Sequence, residues 1–309
     1  MTAMFRNILV PLDGSHSAEQ ALPVARYLAA KLGGRVILLH VIEAHAPDRV
    51  HGEPHLRTSE QAAGYLEVVS RREFPQDIEV VHHVHSVQVG DVARSIVEHS
   101  GELSPDLIVM CTHGEHVARD RLFGSIAQKV ISLGAVPVLL IHPRADAPAF
   151  TCGKLLVPLD GRSEHELGLE FAARLARACS ATLHLVIVVP TLGTLSGEDV
   201  ARRRLAPGAV SELLDEEEQD AAAYVLRQEA RLRASGLEAR SEVLRGEPVE
   251  TIAERAATAG ADLVVLGTHG KAGVSAFWAG SFAARLAVRS KLPVLLIPLQ
   301  TAPTAEQSS

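Results

Sequence analysis

Continuous apolar runs and helical apolar stripes alternate along the chain. Asn7-Ile-Leu-Val-Pro11-Leu has no polar alternation and ends at Asp13-Gly-Ser15. Such a run predicts a parallel strand buried on both faces. Asp-Gly-Ser predicts a turn and a helix start, with Ser15 and Ser17 as capping residues. Neither serine lies between two glycines, so no nucleophile elbow is expected. Ala21, Leu22, Ala25, Leu28, Ala29 and Leu32 recur at helical spacing, which predicts a helix over 18–32 ended by Gly33-Gly34. A second buried strand is expected over 35–42. Residues 44–58, rich in His, Pro, Gly and charge, read as a loop. A helix over 59–73, a strand over 77–85, a helix near 90–100 and a strand over 106–110 follow. A helix ending near 133 and a strand over 136–141 close the series.

The pattern then restarts. Lys154-Leu-Leu-Val-Pro158-Leu-Asp160-Gly161 repeats Asn7-Ile-Leu-Val-Pro11-Leu-Asp13-Gly14, with Asp13 and Asp160 separated by 147 residues. Val41 and Val188, each at the end of a second strand, keep that separation. Thr-His-Gly114 recurs as Thr-His-Gly270, and Gly124-Ser125 as Gly280-Ser281, both 156 residues apart. The nine extra residues are assigned to the loop-like stretch 190–211. A helix over 212–235 begins acidic and ends in arginines, which complements its dipole. Pro293-Val-Leu-Leu-Ile297 closes the second half as Pro137-Val-Leu-Leu-Ile141 closes the first. A period this long indicates a duplicated domain rather than a solenoid. The expected fold is α/β, as two tandem open parallel five-stranded sheets with helices on both faces, related by internal duplication. Residues 142–153 read as a connection. The expected domains are 1–143 and 154–300, with a linker at 144–153 and a disordered tail at 301–309.

Ligands of open parallel sheets sit at the carboxyl ends of the strands, where both the Asp-Gly turn and a glycine loop fall. In the second half that loop runs from Gly267-Thr-His-Gly270 through nine residues to Gly280-Ser281. Glycines let backbone N–H groups approach phosphate oxygens, the following helix start carries partial positive charge, and a serine donates a hydrogen bond. The first half has Cys111 where the second has Gly267. A cysteine fits an extended backbone but not a left-handed one.

Val-Pro-Leu-Asp-Gly twice, the Gly-x2-Gly-x9-Gly-Ser loop and the closing Pro-Val-Leu-Leu-Ile, in that order, resemble the universal stress protein family in tandem form. The resemblance implies the adenine-nucleotide α-hydrolase-like fold. It also implies ATP binding, with Mg²⁺ carried by the nucleotide. It places Pro11, Asp13 and Val41, and Pro158, Asp160 and Val188, beside the adenosine portion. It places Gly114, Gly124 and Ser125, and Gly267, Gly270, Gly280 and Ser281, around the phosphates. It further implies a regulatory or sensing protein of the stress response, with the two halves forming an internal pseudo-dimer through strands 136–141 and 293–297. Homodimerisation of the chain through these edges is the alternative; a protein partner is not named by the sequence.

Composition narrows the alternatives. The chain has 309 residues, 47% hydrophobic and 4% aromatic, which predicts aliphatic cores. A net charge of −7 argues against nucleic acid and anionic membrane as partners. Three widely spaced cysteines, Cys111, Cys152 and Cys179, make neither a disulfide framework nor a zinc ribbon, and fit a reducing compartment. The N-terminus lacks the features of a signal peptide, and no apolar run reaches the ~20 residues of a membrane span. A cytoplasmic location is expected.

Neither Gly-x4-Gly-Lys-Ser/Thr nor Gly-x-Gly-x2-Gly occurs, so P-loop hydrolysis and dinucleotide redox chemistry lose their usual signatures. Lys271, Arg119 and Arg121 are phosphate-contact candidates weighed against plain solvent exposure. His113 and His269 are read as shaping their loops, since no paired carboxylate or nucleophile is adjacent. His82, His83 and His85 on the third strand, with His51 and His55 in the preceding loop, are weighed as a zinc site against an exposed or interfacial patch, and the patch is preferred. Two competing functions remain: a slow ATPase or nucleotidyl-transfer enzyme using His269, Lys271 and Asp160, and a nucleotide-independent interaction module acting through 44–58 and 190–211.

Overall fold

A computed structural model gives the structure and describes residues 5–112, 124–143, 149–161, 166–194, 207–269 and 282–299. The first half contains β1 (Asn7–Pro11), α1 (His16–Glu19), α2 (Leu22–Leu32), β2 (Arg35–Glu43), β3 (Arg49–Val50), β4 (Glu53–Pro54), α3 (Ser59–Glu73), β5 (Val80–Val89), α4 (Val92–Leu103), β6 (Leu107–Cys111), α5 (Ser125–Leu133) and β7 (Val138–Ile141). The second half contains β8 (Lys154–Leu159), α6 (Glu166–Cys179), β9 (Thr182–Val189), α7 (Pro207–Ala234), β10 (Ala239–Arg245), α8 (Pro248–Thr258), β11 (Leu263–His269), α9 (Phe282–Ser290) and β12 (Val294–Leu299).

Two separate five-stranded parallel sheets were expected; the strands instead form one continuous ten-stranded mixed sheet, ordered β10-β9-β8-β11-β12-β7-β6-β1-β2-β5. β12 pairs antiparallel with β7, Val294 opposite Leu140 and Leu296 opposite Val138. The physical reason lies in the closing strands. All four residues of β7 are buried, so an unpaired edge there would leave apolar side chains and backbone hydrogen-bonding groups uncovered. A small antiparallel sheet, β3 with β4, adds a hairpin within 44–58, where a loop was expected.

The chain divides into two compact units, one drawn from Met1–Thr151, Thr268–Ala284 and Pro293–Ser309, the other from Cys152–Gly267 and Arg285–Leu292. In the first unit β1 pairs in parallel with β2 and β6, β2 with β5, and β6 with β7. Seven consecutive residues of β2 are buried, as its place between two other strands requires. In the second unit β8 pairs in parallel with β9 and β11, and β9 with β10. Both cores are Leu, Ile, Val and Ala, packed against the apolar faces of the helices. Each fully buried Leu or Ile contributes roughly 1.5–3 kcal/mol relative to exposure.

The expected helix over 18–32 is broken. α1 ends at Glu19, and α2 begins at Leu22 with Pro23 in its first turn. Proline lacks the N–H of a helix interior and its ring collides with the carbonyl four residues earlier, so a continuous helix stops there.

Two devices recur in both halves without a contiguous sequence signal. The Asp106 carboxylate accepts the backbone N–H groups of Arg6 (2.7 Å) and Asn7 (2.9 Å), fixing the start of β1. Asp262 accepts those of Gly153 (2.8 Å) and Lys154 (2.9 Å) at the start of β8. Similarly, Arg72 of α3 pairs with Glu19, and Arg231 of α7 pairs with Glu166 at 3.3 Å. Among the described residues, no helix is long and apolar enough to cross a membrane.

Candidate functional site

The first unit holds a cavity of about 420 Å³ at the carboxyl ends of β1, β2 and β6. Its walls come from the Asp-Gly turn, the end of β2, the β3–β4 hairpin, and the start of α5. Gly14 after β1 has φ +91 and Gly161 after β8 has φ +79, so each Asp-Gly turn uses the left-handed conformation open to glycine. The turn is held by its own side chains. Asp13 Oδ1 accepts the Ser15 N–H at 2.9 Å, and Ser15 Oγ accepts the Ala18 N–H at 3.2 Å, which makes Ser15 the N-cap of α1.

Pro11, Asp13, Val41, Gly124 and Ser125 all line this cavity, so five residues singled out from the sequence come together. Val41 supplies a nearly buried apolar wall at the end of β2, whereas Asp13 remains half exposed. Gly124 is the N-cap of α5 and provides no side-chain cap. The first backbone N–H groups of a nine-residue helix are therefore left for another acceptor, with the helix dipole adding partial positive charge. The Gly124 N–H itself donates to the Thr112 carbonyl at 2.7 Å.

Thr112 is the hub of this end of the site, and the sequence reading passed it over. It is buried, its N–H donates to the Ile141 carbonyl at 2.9 Å, and its hydroxyl lies 3.3 Å from His142 Nδ1. Its repeat counterpart Thr268 donates through its hydroxyl to the Ile297 carbonyl at 3.3 Å. The signal was present: threonine opens both Thr-His-Gly motifs.

Cys111 ends β6 in extended conformation, so the position that is Gly267 in the other half accepts a side chain here. Its Sγ lies 3.8 Å from the Ala18 carbonyl oxygen. Burial pushes the thiol up to about 12, and the nearby Asp13 carboxylate acts in the same direction. A thiol this far above neutrality is neither a nucleophile nor a charge for a phosphate.

In the second unit Pro158 lies within β8, Asp160 follows it at an exposed position, and Val188 lies near the end of β9. Gly267 lies inside β11. Gly114, Gly270, Gly280 and Ser281 lie outside the described residues, as do His113, Arg119, Arg121, Lys271 and the tail 301–309.

The histidines separate into two places. His83 and His85 both stack against His99 of α4, at ring distances of 4.6 and 4.7 Å. His99 Nε2 is 2.8 Å from His85 Nδ1, and its Nδ1 is 2.9 Å from Glu102. Both ring nitrogens of His99 are thus engaged. No group of three or more His, Cys, Asp or Glu among the described residues is arranged to hold a metal ion. His51 and His55 instead line the cavity, together with His40 of β2, which the sequence reading did not single out.

His40 is 1% exposed, and its Nδ1 lies 2.8 Å from the Leu12 carbonyl oxygen. A carbonyl only accepts, so Nδ1 carries the proton. Burial lowers the His40 pKa, His55 adds to this, and the Leu12 and Leu56 carbonyls and Asp13 oppose it. Burial likewise lowers His83 and His184. The unfolded chain therefore takes these protons at about pH 6.5, before the folded chain does. Stability is full above that value and falls as the pH drops from it toward the folded pKa values. The denaturant midpoint is expected to fall between pH 7.5 and 5.5, less steeply in His40→Asn, which keeps a donor for Leu12. A flat or rising midpoint would refute the sign.

The chain matches the universal stress protein family over residues 4–142 and again over 152–298. It is 25% identical over 316 aligned positions to universal stress protein Slr1230 of Synechocystis, covering 94% of this chain and 99% of that protein. Universal stress protein Sll1654 of the same organism is 30% identical over 138 residues, covering 45% of this chain and 86% of the relative. A crystal structure of a universal stress protein from Archaeoglobus fulgidus superposes with a TM-score of 0.66 at 19% identity, covering 96% of this chain and 97% of the other, which supports the fold. Two successive matches that together span nearly the whole sequence account for its internal repeat, and this chain belongs to the universal stress protein family as a tandem duplication of its domain.

Proposed function

We propose that the chain binds ATP, with Mg²⁺ arriving on the nucleotide, and acts as a regulatory or sensing protein rather than a catalyst. The observation that carries this reading is the two-ended cavity of the first unit. One end offers the uncapped N-terminus of α5 with Gly124 and Ser125; the other offers Asp13, Pro11 and Val41. Helix N-terminal N–H groups suit phosphate oxygens, and a carboxylate beside an apolar wall suits the hydroxyl-bearing, flat remainder of a nucleoside. Gly114 is assigned to the phosphates with them. By the repeat, Pro158, Asp160 and Val188 take the adenosine portion in the second half, and Gly267, Gly270, Gly280 and Ser281 the phosphates. The proposed domain limits are 1–143 and 154–300, and the proposed location is the cytoplasm.

Catalysis is left out of the proposal; the thiol at this end, Cys111, is buried, and burial keeps it protonated. The test is to identify any small molecule released from the purified chain, then to measure ATP binding and turnover in wild type, Gly114→Val and Gly270→Val. Binding that each variant reduces, with turnover at background, is expected. No bound or bindable nucleotide in wild type would overturn the reading; turnover lost in the variants would make the protein an enzyme.

A further inference from the structure

The β3–β4 hairpin brings two histidine–carboxylate pairs to the first-unit cavity. Its strands pair Arg49 with Pro54 and Val50 with Glu53, joined by the two-residue turn His51-Gly52. His51 has φ 49 and Gly52 φ 90. Two successive positive φ values mark the hairpin turn whose twist matches its strands. Histidine enters that region far less readily than glycine, so the backbone is held there by its surroundings.

Those surroundings are well defined. The Arg49 guanidinium donates to the Gly52 carbonyl at 2.6 Å, and the His55 N–H donates to the Asp48 carbonyl at 3.0 Å. Arg57 donates to the Ala46 carbonyl at 3.2 Å and to the Asp48 carboxylate at 2.5 Å. Its N–H donates to the Gln61 side chain at 2.9 Å in the first turn of α3. Leu56 lies over the Asp-Gly turn, where a Cβ on Gly14 would come within 3.1 Å of its Cδ1. The base of the hairpin is thus fixed while its tip meets the cavity.

At the tip, His51 Nε2 is 3.7 Å from Asp13 Oδ2. The other Asp13 oxygen is occupied by the Ser15 N–H, which sets the direction of the carboxylate. Deeper in, His55 Nε2 is 4.0 Å from Glu43. His55 Nδ1 is buried and makes no hydrogen bond with the protein, an uncommon condition for a buried polar atom.

We propose that this hairpin is a flap that grips the nucleoside half of the ligand, and that His51 is a specificity-determining residue selecting a ribonucleoside. The proposal rests on the nucleotide reading above. Phosphate charge favours the α5 end and is repelled by Asp13 and Glu43, so the hairpin meets the uncharged part of the ligand. At 3.7 Å the His51–Asp13 contact is too long for a hydrogen bond. A ribose hydroxyl entering between them donates to the carboxylate and accepts from the imidazole N–H, which a group that only donates cannot do.

The test uses the full chain with three probes: ATP, 2′,3′-dideoxy-ATP and inorganic triphosphate. His51→Gly removes the imidazole while suiting the positive φ, so the turn is kept; an unchanged thermal midpoint checks this. The variant is expected to weaken ATP binding about tenfold in the first unit, to narrow the preference for ATP over the dideoxy analogue, and to leave triphosphate unchanged. The His51 ring signal in NMR, assigned by its loss in the variant, reports this site separately from the second half. It should move with ATP and stay still with triphosphate. ATP binding seen by calorimetry while that signal stays still, or equal affinities in the variant, overturns the flap. Absence of any ATP binding overturns the nucleotide reading instead, and the flap with it.

Discussion

Gly124→Ala is expected to weaken ATP binding in the first unit at least tenfold and to cost about 1–3 kcal/mol of stability. A Cβ at residue 124 would lie 2.8 Å from the Thr112 carbonyl oxygen. That oxygen also accepts the Gly124 N–H at 2.7 Å, so strand end and helix start touch backbone to backbone. The φ of Gly124 is −60°, so the constraint is close approach rather than a left-handed backbone. Thr112 has little room to yield, because it is buried and its own N–H is bonded to Ile141. The start of α5 must move instead, taking Ser125 and the free N–H groups away from the phosphate end. Calorimetry and urea unfolding check both effects. Ser125→Ala is the companion variant: it removes a hydroxyl without adding bulk and should lower affinity with little change in stability. If Gly124→Ala left both quantities unchanged, the helix start would be shown to relax freely and to position nothing.

Gly168→Ala carries the second large effect, in the other unit. A Cβ there would meet the Gly267 nitrogen at 2.8 Å, the Gly267 Cα at 3.3 Å and the Leu266 carbonyl carbon at 3.4 Å. These are backbone atoms inside a buried strand, so α6 would be pushed off β11 at a cost of about 1–3 kcal/mol. A urea midpoint within error of wild type would refute this. The same contact gives Gly267 a packing reason to be glycine, independent of any phosphate. In the first half Ala21 stands at the repeat position of Gly168, and the Cys111 thiol lies beside Ala18. One half packs glycine on glycine and the other fills the corresponding place with a thiol. The Cys111 substitution is therefore part of a paired change in packing, not an isolated loss of a loop glycine.

Local chemistry made much of this protein readable. The unbroken apolar runs of β1 and β2, bounded by turn residues, read as strands covered on both faces, and the repeated Asp-Gly turn suited left-handed glycines at 14 and 161, which the structure has. Of the two serines expected to cap, Ser15 does so, one residue before α1 starts at His16, whereas Ser17 lies inside that helix. The break between α1 and α2 was also legible in Pro23, but the apolar stripe running through it concealed the stop. The hairpin in 44–58 was not legible, since two strands of two residues each are too short to show alternation.

By itself the sequence determined the duplicated order of elements and the sheet edge where Asp13, Val41, Gly124 and Ser125 belong, because burial periodicity and turn chemistry act over a few residues. Tertiary structure decided the form in which the strands join, with β12 antiparallel to β7 inside one sheet. Val-Leu-Leu-Ile is equally suited to an edge of its own sheet, a partner chain or the other half, and only the meeting of β7 with β12 selects a single mixed sheet. It also decided which distant groups meet: Asp106 with the start of β1, Gly168 with Gly267, His51 with Asp13. Such contacts join residues far apart along the chain, where no local pattern records the distance.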